Sequence, residues 1–176
     1  MIRRLAREVA LQALFQIDFT GVDGATAVTA AMAEHEDIKV HKVSDAEAEE
    51  MIRLGETTKL SSLRTREAAE EKKYTYVETY ALHLVNGVLG NKDAVDAEIG
   101  QFATGWTVER MPATDRNILR IAVFEICFAE PKVAAGVAIN EAVEIAKSYG
   151  TDESPRFVNG ILGKLVKKGA SKFFLV

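Results

Sequence analysis

The sequence predicts an all-α protein, and three observations predict it. Apolar residues recur at three- and four-residue spacing along most of the 176 residues. No stretch alternates polar and apolar in the manner of a half-buried strand, and the breaks between periodic segments carry helix caps and stops. At 48% hydrophobic content the chain can bury a core of its own, as one compact domain or two small lobes.

Each element follows in order. "IRRLAREVALQALFQIDF" reads as a first helix stopped by "TGVDG", and "ATAVTAAMAEHE" as a second. Residues 36–73 are densely charged with mixed signs and lack an apolar stripe of core width. They read as one or two exposed helices or a mobile insert outside the core, with Ser44 a helix cap. "YTYVETYALHLVNGVLG" and "KDAVDAEIGQFATG" are further helices, and "WTVERMPATDRNILRIAVFEICFAEP" gives one turn, a break at Pro112 and a strongly apolar helix. "VAAGVAINEAVEIAKSYG" ends at Gly150 in the usual glycine stop position. Ser154 and Pro155 then cap and open the last helix, "RFVNGILGKLVKK". The echo between "LVNGVLGN" and "FVNGILGK" places Gly87 with Gly90, and Gly160 with Gly163, as small-residue notches for close helix approach, and it hints at two similar lobes. A phosphate-binding loop is excluded there because no strand precedes either copy. The lobes are expected at 1–90 and 91–176, the second with a basic tail.

Charge is distributed unevenly. The formal net charge is −4, yet the first eight residues hold Arg3, Arg4 and Arg7 against Glu8, and everything from Arg156 onward holds one arginine and four lysines with no acid. Two basic ends on an acidic body point to a local anionic partner. The single cysteine, Cys127, excludes an internal disulfide, lies in apolar sequence where burial is expected, and suits a reducing cytoplasm. No apolar run reaches the roughly 18 residues of a membrane span. His35, His41 and His83 show no ligand spacing, and no serine or cysteine sits in a nucleophile motif, so neither a metal, a cofactor nor catalysis is expected. Glu141 reads as an ordinary helix residue.

Two clusters stand out. At about 100° per residue, Arg3, Arg4 and Arg7 share one side of the first helix, opposite Ile2, Leu5 and Val9. Cations at a helix start oppose the helix dipole, an arrangement that a bound phosphate would reverse. The other reading is a solvated helix start; under either, loss of the three arginines should leave stability nearly unchanged. In "AKSYGTDESPRFVNG", Tyr149, loop hydroxyls and a helix N-terminus with Arg156 and Phe157 make a platform for an unpaired base. Asp152 and Glu153 could accept from base amino groups there. An ordinary turn with capping side chains is the alternative.

Taken together, "RRLAREVALQALFQ", "DRNILRIAVFEI", "VAINEAVEIAKSYG" and "SPRFVNGILGK" resemble the NusB family of transcription antitermination factors, in the family's order. The resemblance implies two small helical bundles that bind boxA-type single-stranded RNA, without catalysis, together with the ribosomal protein NusE, in the RNA polymerase antitermination complex. It implies RNA contacts at Arg3, Arg4, Arg7, Tyr149, Asp152, Glu153, Ser154, Arg156 and Phe157, and a NusE-facing surface that includes Phe15 and Asp115. Residues 36–73 run longer than the family needs, Leu5 interrupts the early arginines, and Phe173 to Val176 match nothing in the pattern. Two other classes share the helical pattern. One is the RNA-binding part of ribosomal RNA cytosine methyltransferases, which needs a following dinucleotide-type domain that a sequence ending at Val176 is expected to lack. The other is a helical module that binds only protein.

Overall fold

The computed structural model describes residues 2–173, with side chains described for residues 2–169. The unassigned Phe173 to Val176 thus lie outside the residues whose side chains are described. Among the described residues there are eight α-helices and no strand. They are α1 (Ile2–Thr20), α2 (Gly24–Ala33), α3 (Asp45–Arg53), α4 (Thr57–Gly90), α5 (Lys92–Gly100), α6 (Ala113–Val123), α7 (Ala135–Tyr149) and α8 (Ser154–Phe173).

Helices α1, α2 and α4 pack on one another, as do α5, α6, α7 and α8, and α1 also lies against α6 and α7. One continuous core joins the two groups, from Val9, Leu14, Val28 and Leu84 to Leu119, Ile145, Val158 and Leu162. Asp23 caps α2 by accepting from the Thr26 N–H at 3.0 Å. Ser44 caps α3 in a reciprocal box with Glu47, as its position predicts.

Residues 36–73 differ from the expectation of a segment outside the core in two respects. Ile38, in a one-turn 3-10 segment, is 2% exposed and belongs to the core. The segment also has no boundary at its end: α4 runs from the charged stretch at Thr57 without interruption into the buried residues Val77, Ala81, Leu84 and Val85. A helix needs no core stripe where it extends past its partners, so the absence of one marked a projection and not a boundary. Helix α3 turns back through Gly55 and lies antiparallel to the first half of α4, burying Ala48 and Leu60.

The glycine echo divides as well. A Cβ at Gly87 would stand 2.0 Å from the Phe124 ring, so this position admits only glycine while the ring stays in place. At Gly90, Gly160 and Gly163 a Cβ would meet nothing within 4 Å, and the expected second notch is an open surface. Gly150 stops α7 with φ −94°, so its need is room and not the left-handed region: a Cβ would lie 2.4 Å from that of Ser154.

Candidate nucleic-acid interface

The three arginines of α1 part company. Arg7 is 3% exposed, and its guanidinium donates to both oxygens of Glu125 at 2.9 and 3.1 Å. Glu125, 1% exposed, also accepts from the Tyr80 hydroxyl at 2.5 Å, and burial followed by this hydrogen bond raises the Tyr80 pKa. Glu125 sits in a π-helical turn, Phe124–Phe128, that follows α6. The expectation of an exposed Arg7 is therefore corrected. Arg7 lies in the angular sector of Leu11 and Leu14, which face the core, and a buried arginine requires a paired carboxylate. Arg7 is part of the structure's interior and is out of reach of a surface ligand.

Arg4 stays at the surface, where its guanidinium grips Glu141 of α7 through two hydrogen bonds of 2.8 and 3.0 Å. That grip holds the Glu141 carboxyl below its usual range, since the hydrogen bond favours the charged form. Glu141 is thus more than a bystander: it anchors Arg4 and also stands 3.5 Å from Arg7. Arg3 is exposed and turns to the opposite flank, donating to the Tyr76 hydroxyl at 3.0 Å. Its guanidinium lies 5.8 Å from the centroid of the Tyr80 ring.

Along the seam between α1 and α7, burial and then the nearby Glu8 carboxylate push the Tyr149 hydroxyl up. Tyr149 and Arg4 therefore border the same two helices. Past Tyr149 the chain turns, leaving Asp152, Glu153 and Arg156 exposed and Phe157 partly buried. Ser154 is corrected: it is 1% exposed, and its Oγ accepts the Thr151 N–H at 2.9 Å, closing the turn from inside. The carbonyl of Glu153 receives the Phe157 N–H at 3.0 Å, so Glu153 occupies the capping position assigned to Ser154.

Of the residues expected to face a protein partner, Phe15 lies about 18 Å from Arg3 along α1, given a rise of about 1.5 Å per residue, and Asp115 lies on α6. Phe15 is 42% exposed and tilts against the 71% exposed Phe19, with ring centroids 4.8 Å apart. Asp18 ties this end of α1 to α6, accepting from Arg116 and Asn117 at 2.9 Å each. Asp115 is corrected from a surface contact to a buried carboxylate, 6% exposed, in the first turn of α6, and its Oδ1 has no hydrogen-bond partner. A carboxylate is favoured at a helix N-terminus whether or not a partner covers it.

Sequence reasoning missed the aromatic row on α4. Tyr76 and Tyr80 stack at 6.2 Å, Tyr80 meets His83 at 6.2 Å, and His83 meets Phe124 edge-on at 5.4 Å. Tyr76, Tyr80 and His83 of the row, with Arg3 and Lys132, line a cleft of about 590 Å³. Its signal was the four-residue spacing of tyrosines in "YTYVETYALH". Half-exposed Trp106, beside Phe157, was likewise not singled out.

Fold and surface together define an all-α protein whose two packing groups share one helix, with arginine and aromatic side chains at the shared edge. The chain belongs to the NusB family, whose family model matches residues 42–167. It is 42% identical to the transcription antitermination protein NusB of Symbiobacterium thermophilum, across 97% of this chain and 94% of that one. To the protein of the same name from Bdellovibrio bacteriovorus it is 39% identical, across 94% and 95% respectively. Among solved structures, T. maritima NusB superposes with a TM-score of 0.66 at 27% identity, covering 94% of this chain and 90% of that one. A chain from the crystal structure of antitermination factors NusB and NusE in complex with dsRNA shares the fold, with a TM-score of 0.65 at 21% identity over 95% and 97% of the two chains.

Proposed function

We propose that this protein is a transcription antitermination factor of the cytoplasm that binds boxA-type single-stranded RNA with NusE, as a non-catalytic adaptor within the RNA polymerase complex. The observation that carries this reading is the near-complete coverage of relatives named transcription antitermination protein NusB. The geometry supports it by leaving Arg4 and Tyr149 accessible at the α1 and α7 seam, Asp152, Glu153 and Arg156 accessible on the turn that follows and the start of α8, and Arg3 accessible on the other flank of α1. Residues 1–90 and 91–176 act as two lobes held by α1, and the exposed Phe15 and Phe19 pair is the reading's contact for the ribosomal protein. Among the described residues no helix is long and apolar enough to cross a membrane.

The test is a pull-down from cell extract scored for both RNA and a ribosomal protein, followed by RNA titrations at several salt concentrations. Each phosphate neutralised on a single strand contributes about −0.7 to the slope of log affinity against log salt, so replacing Arg3 and Arg4 by alanine should flatten that slope by roughly 1.4. Recovery of neither RNA nor a ribosomal protein would overturn the reading.

A further inference from the structure

We propose that the groove between residues 102–106 and the first three turns of α8 is a pocket for one unpaired RNA base, with Trp106 as its stacking wall and Arg156 and Lys164 as its phosphate ligands. The proposal rests on the RNA-binding reading above and extends the RNA path beyond the Tyr149 turn.

Four observations carry it. Trp106 is 50% exposed, although a lone tryptophan on a surface loop gains most from burial. It is held and not adrift: Phe157 meets it edge-on at 6.2 Å and 69°, and Gly105, at φ +82°, lets the loop reverse so that the indole stands beside α8. Opposite the indole, α8 presents bare backbone, because Gly160 is exposed and a Cβ there would meet nothing within 4 Å. The resulting groove has a volume of about 380 Å³, within the range of small-ligand sites.

Charge selects the occupant. Glu153, Arg156, Phe157, Gly160 and Lys164 recur at helical spacing along one side of α8, and all line the groove. Among the described residues, neither Arg156 nor Lys164 is engaged in an ion pair. A third cation, Lys168, is fixed at the lip by donating to Gln101 and by lying 5.4 Å from the Phe102 ring centroid. An apolar peptide has no use for cations lining an aromatic groove. A single-stranded nucleic acid uses both kinds of group, bases on the aromatic face and phosphates on the cations, and a duplex would keep its bases from the wall. The groove shares Glu153 and Arg156 with the turn after Tyr149, so one strand can run through both.

Trp106 is the only tryptophan, and its emission reports on the groove directly. The probe is a 20-nucleotide single-stranded RNA recovered by selection in vitro on the intact protein, followed by fluorescein anisotropy and, unlabelled, by tryptophan emission. The expected result is quenching that tracks the anisotropy curve. Trp106→Ala should weaken binding about five-fold or more, with Trp106→Phe restoring most of the loss. Lys164→Ala should flatten the salt slope by about 0.7. If anisotropy rises while emission stays flat and Trp106→Ala binds equally, the groove takes no RNA and the proposal falls while the RNA-binding reading stands. If emission changes only on adding a ribosomal protein, the groove belongs to a protein. If no anisotropy develops with any RNA, the RNA-binding reading fails and takes this pocket with it.

Discussion

At the scale of single residues, the decisive contrast is between Arg7 and its neighbours. Removing one partner of a buried ion pair leaves the other charged and desolvated, at a cost of about 3–5 kcal/mol. Arg7→Ala should therefore lower the stability found in urea or thermal unfolding by about that much. The double variant Arg7→Met with Glu125→Leu should recover much of the loss, because it removes both charges together. This replaces the expectation that loss of all three arginines would leave stability nearly unchanged. Arg4 obeys a different rule, since on the proposed reading an RNA phosphate would compete with Glu141 for one guanidinium. Glu141→Gln should raise RNA affinity a few-fold, and equal affinity in titration would show that Arg4 binds no phosphate. Glu153→Gln should preserve or strengthen RNA binding, because an exposed carboxylate beside phosphates is a penalty; a ten-fold loss would assign it a base contact. Arg7 was misplaced in the sequence reading although its sector was already marked by Leu11 and Leu14. Burial of an arginine is legible only when its partner is known, and Glu125 lies 118 residues away.

Among the elements, α3 and the first half of α4 form a hairpin whose base is tied by hydrogen bonds. The Glu70 carboxylate accepts the His41 N–H at 2.8 Å, and Arg66 also donates to it, so that its pKa is lowered to about 2. A carboxyl depressed in the folded state stabilises above its ordinary value of about 4.5, and that contribution is lost as pH falls toward 2. The His41 and Glu70 tie should open over that window, seen as loss of the protected His41 amide in hydrogen exchange, while Glu70→Gln should remove the pH dependence. Because His41 and Glu70 touch, replacing 43–67 with four Gly and Ser residues spans a short gap. The shortened protein should keep a cooperative melt and its RNA affinity, whereas a deletion that also takes Ile38 should lower the melting temperature. Helix positions were legible from periodicity and caps to within a few residues. Two features were not: the continuity of α4, because a projecting helix needs no apolar stripe, and the π-helical turn at Phe124–Phe128, because one extra residue per turn leaves no trace in composition.

For the molecule as a whole, the candidate site was legible where it depends on local sequence and illegible where it depends on a distant contact. Tyr149, Asp152, Glu153 and Arg156 sit on one turn and its flanks, and the turn was readable as such. The cleft at Tyr76 and the groove at Trp106 each combine segments from separate parts of the chain. The proposed ribosomal-protein contact, by contrast, rests on Phe15 and Phe19, four residues apart on α1. Phe15→Ala with Phe19→Ala should leave RNA affinity of the isolated protein unchanged and abolish recovery of the ribosomal protein in the pull-down, and retention of that protein would remove the aromatic pair from the interface.

The ion pairs of Arg4 and Arg7 also set a clock. Glu125 and Glu141 follow their arginines by 118 and 137 residues, so the first helix leaves the ribosome long before anything can pair with it. At about 5–20 residues per second, the wait is on the order of ten seconds. Throughout it the core side of α1 lacks α6 and α7, and the nascent chain depends on α2, α4 or a chaperone for shelter. Nascent chains arrested at successive lengths should stay open to protease until the segment through Ile145 has emerged, then become resistant within a short further extension. The proposed RNA-binding edge, assembled from the first and the last thirds of the chain, would thereby be withheld from RNA until synthesis is almost complete.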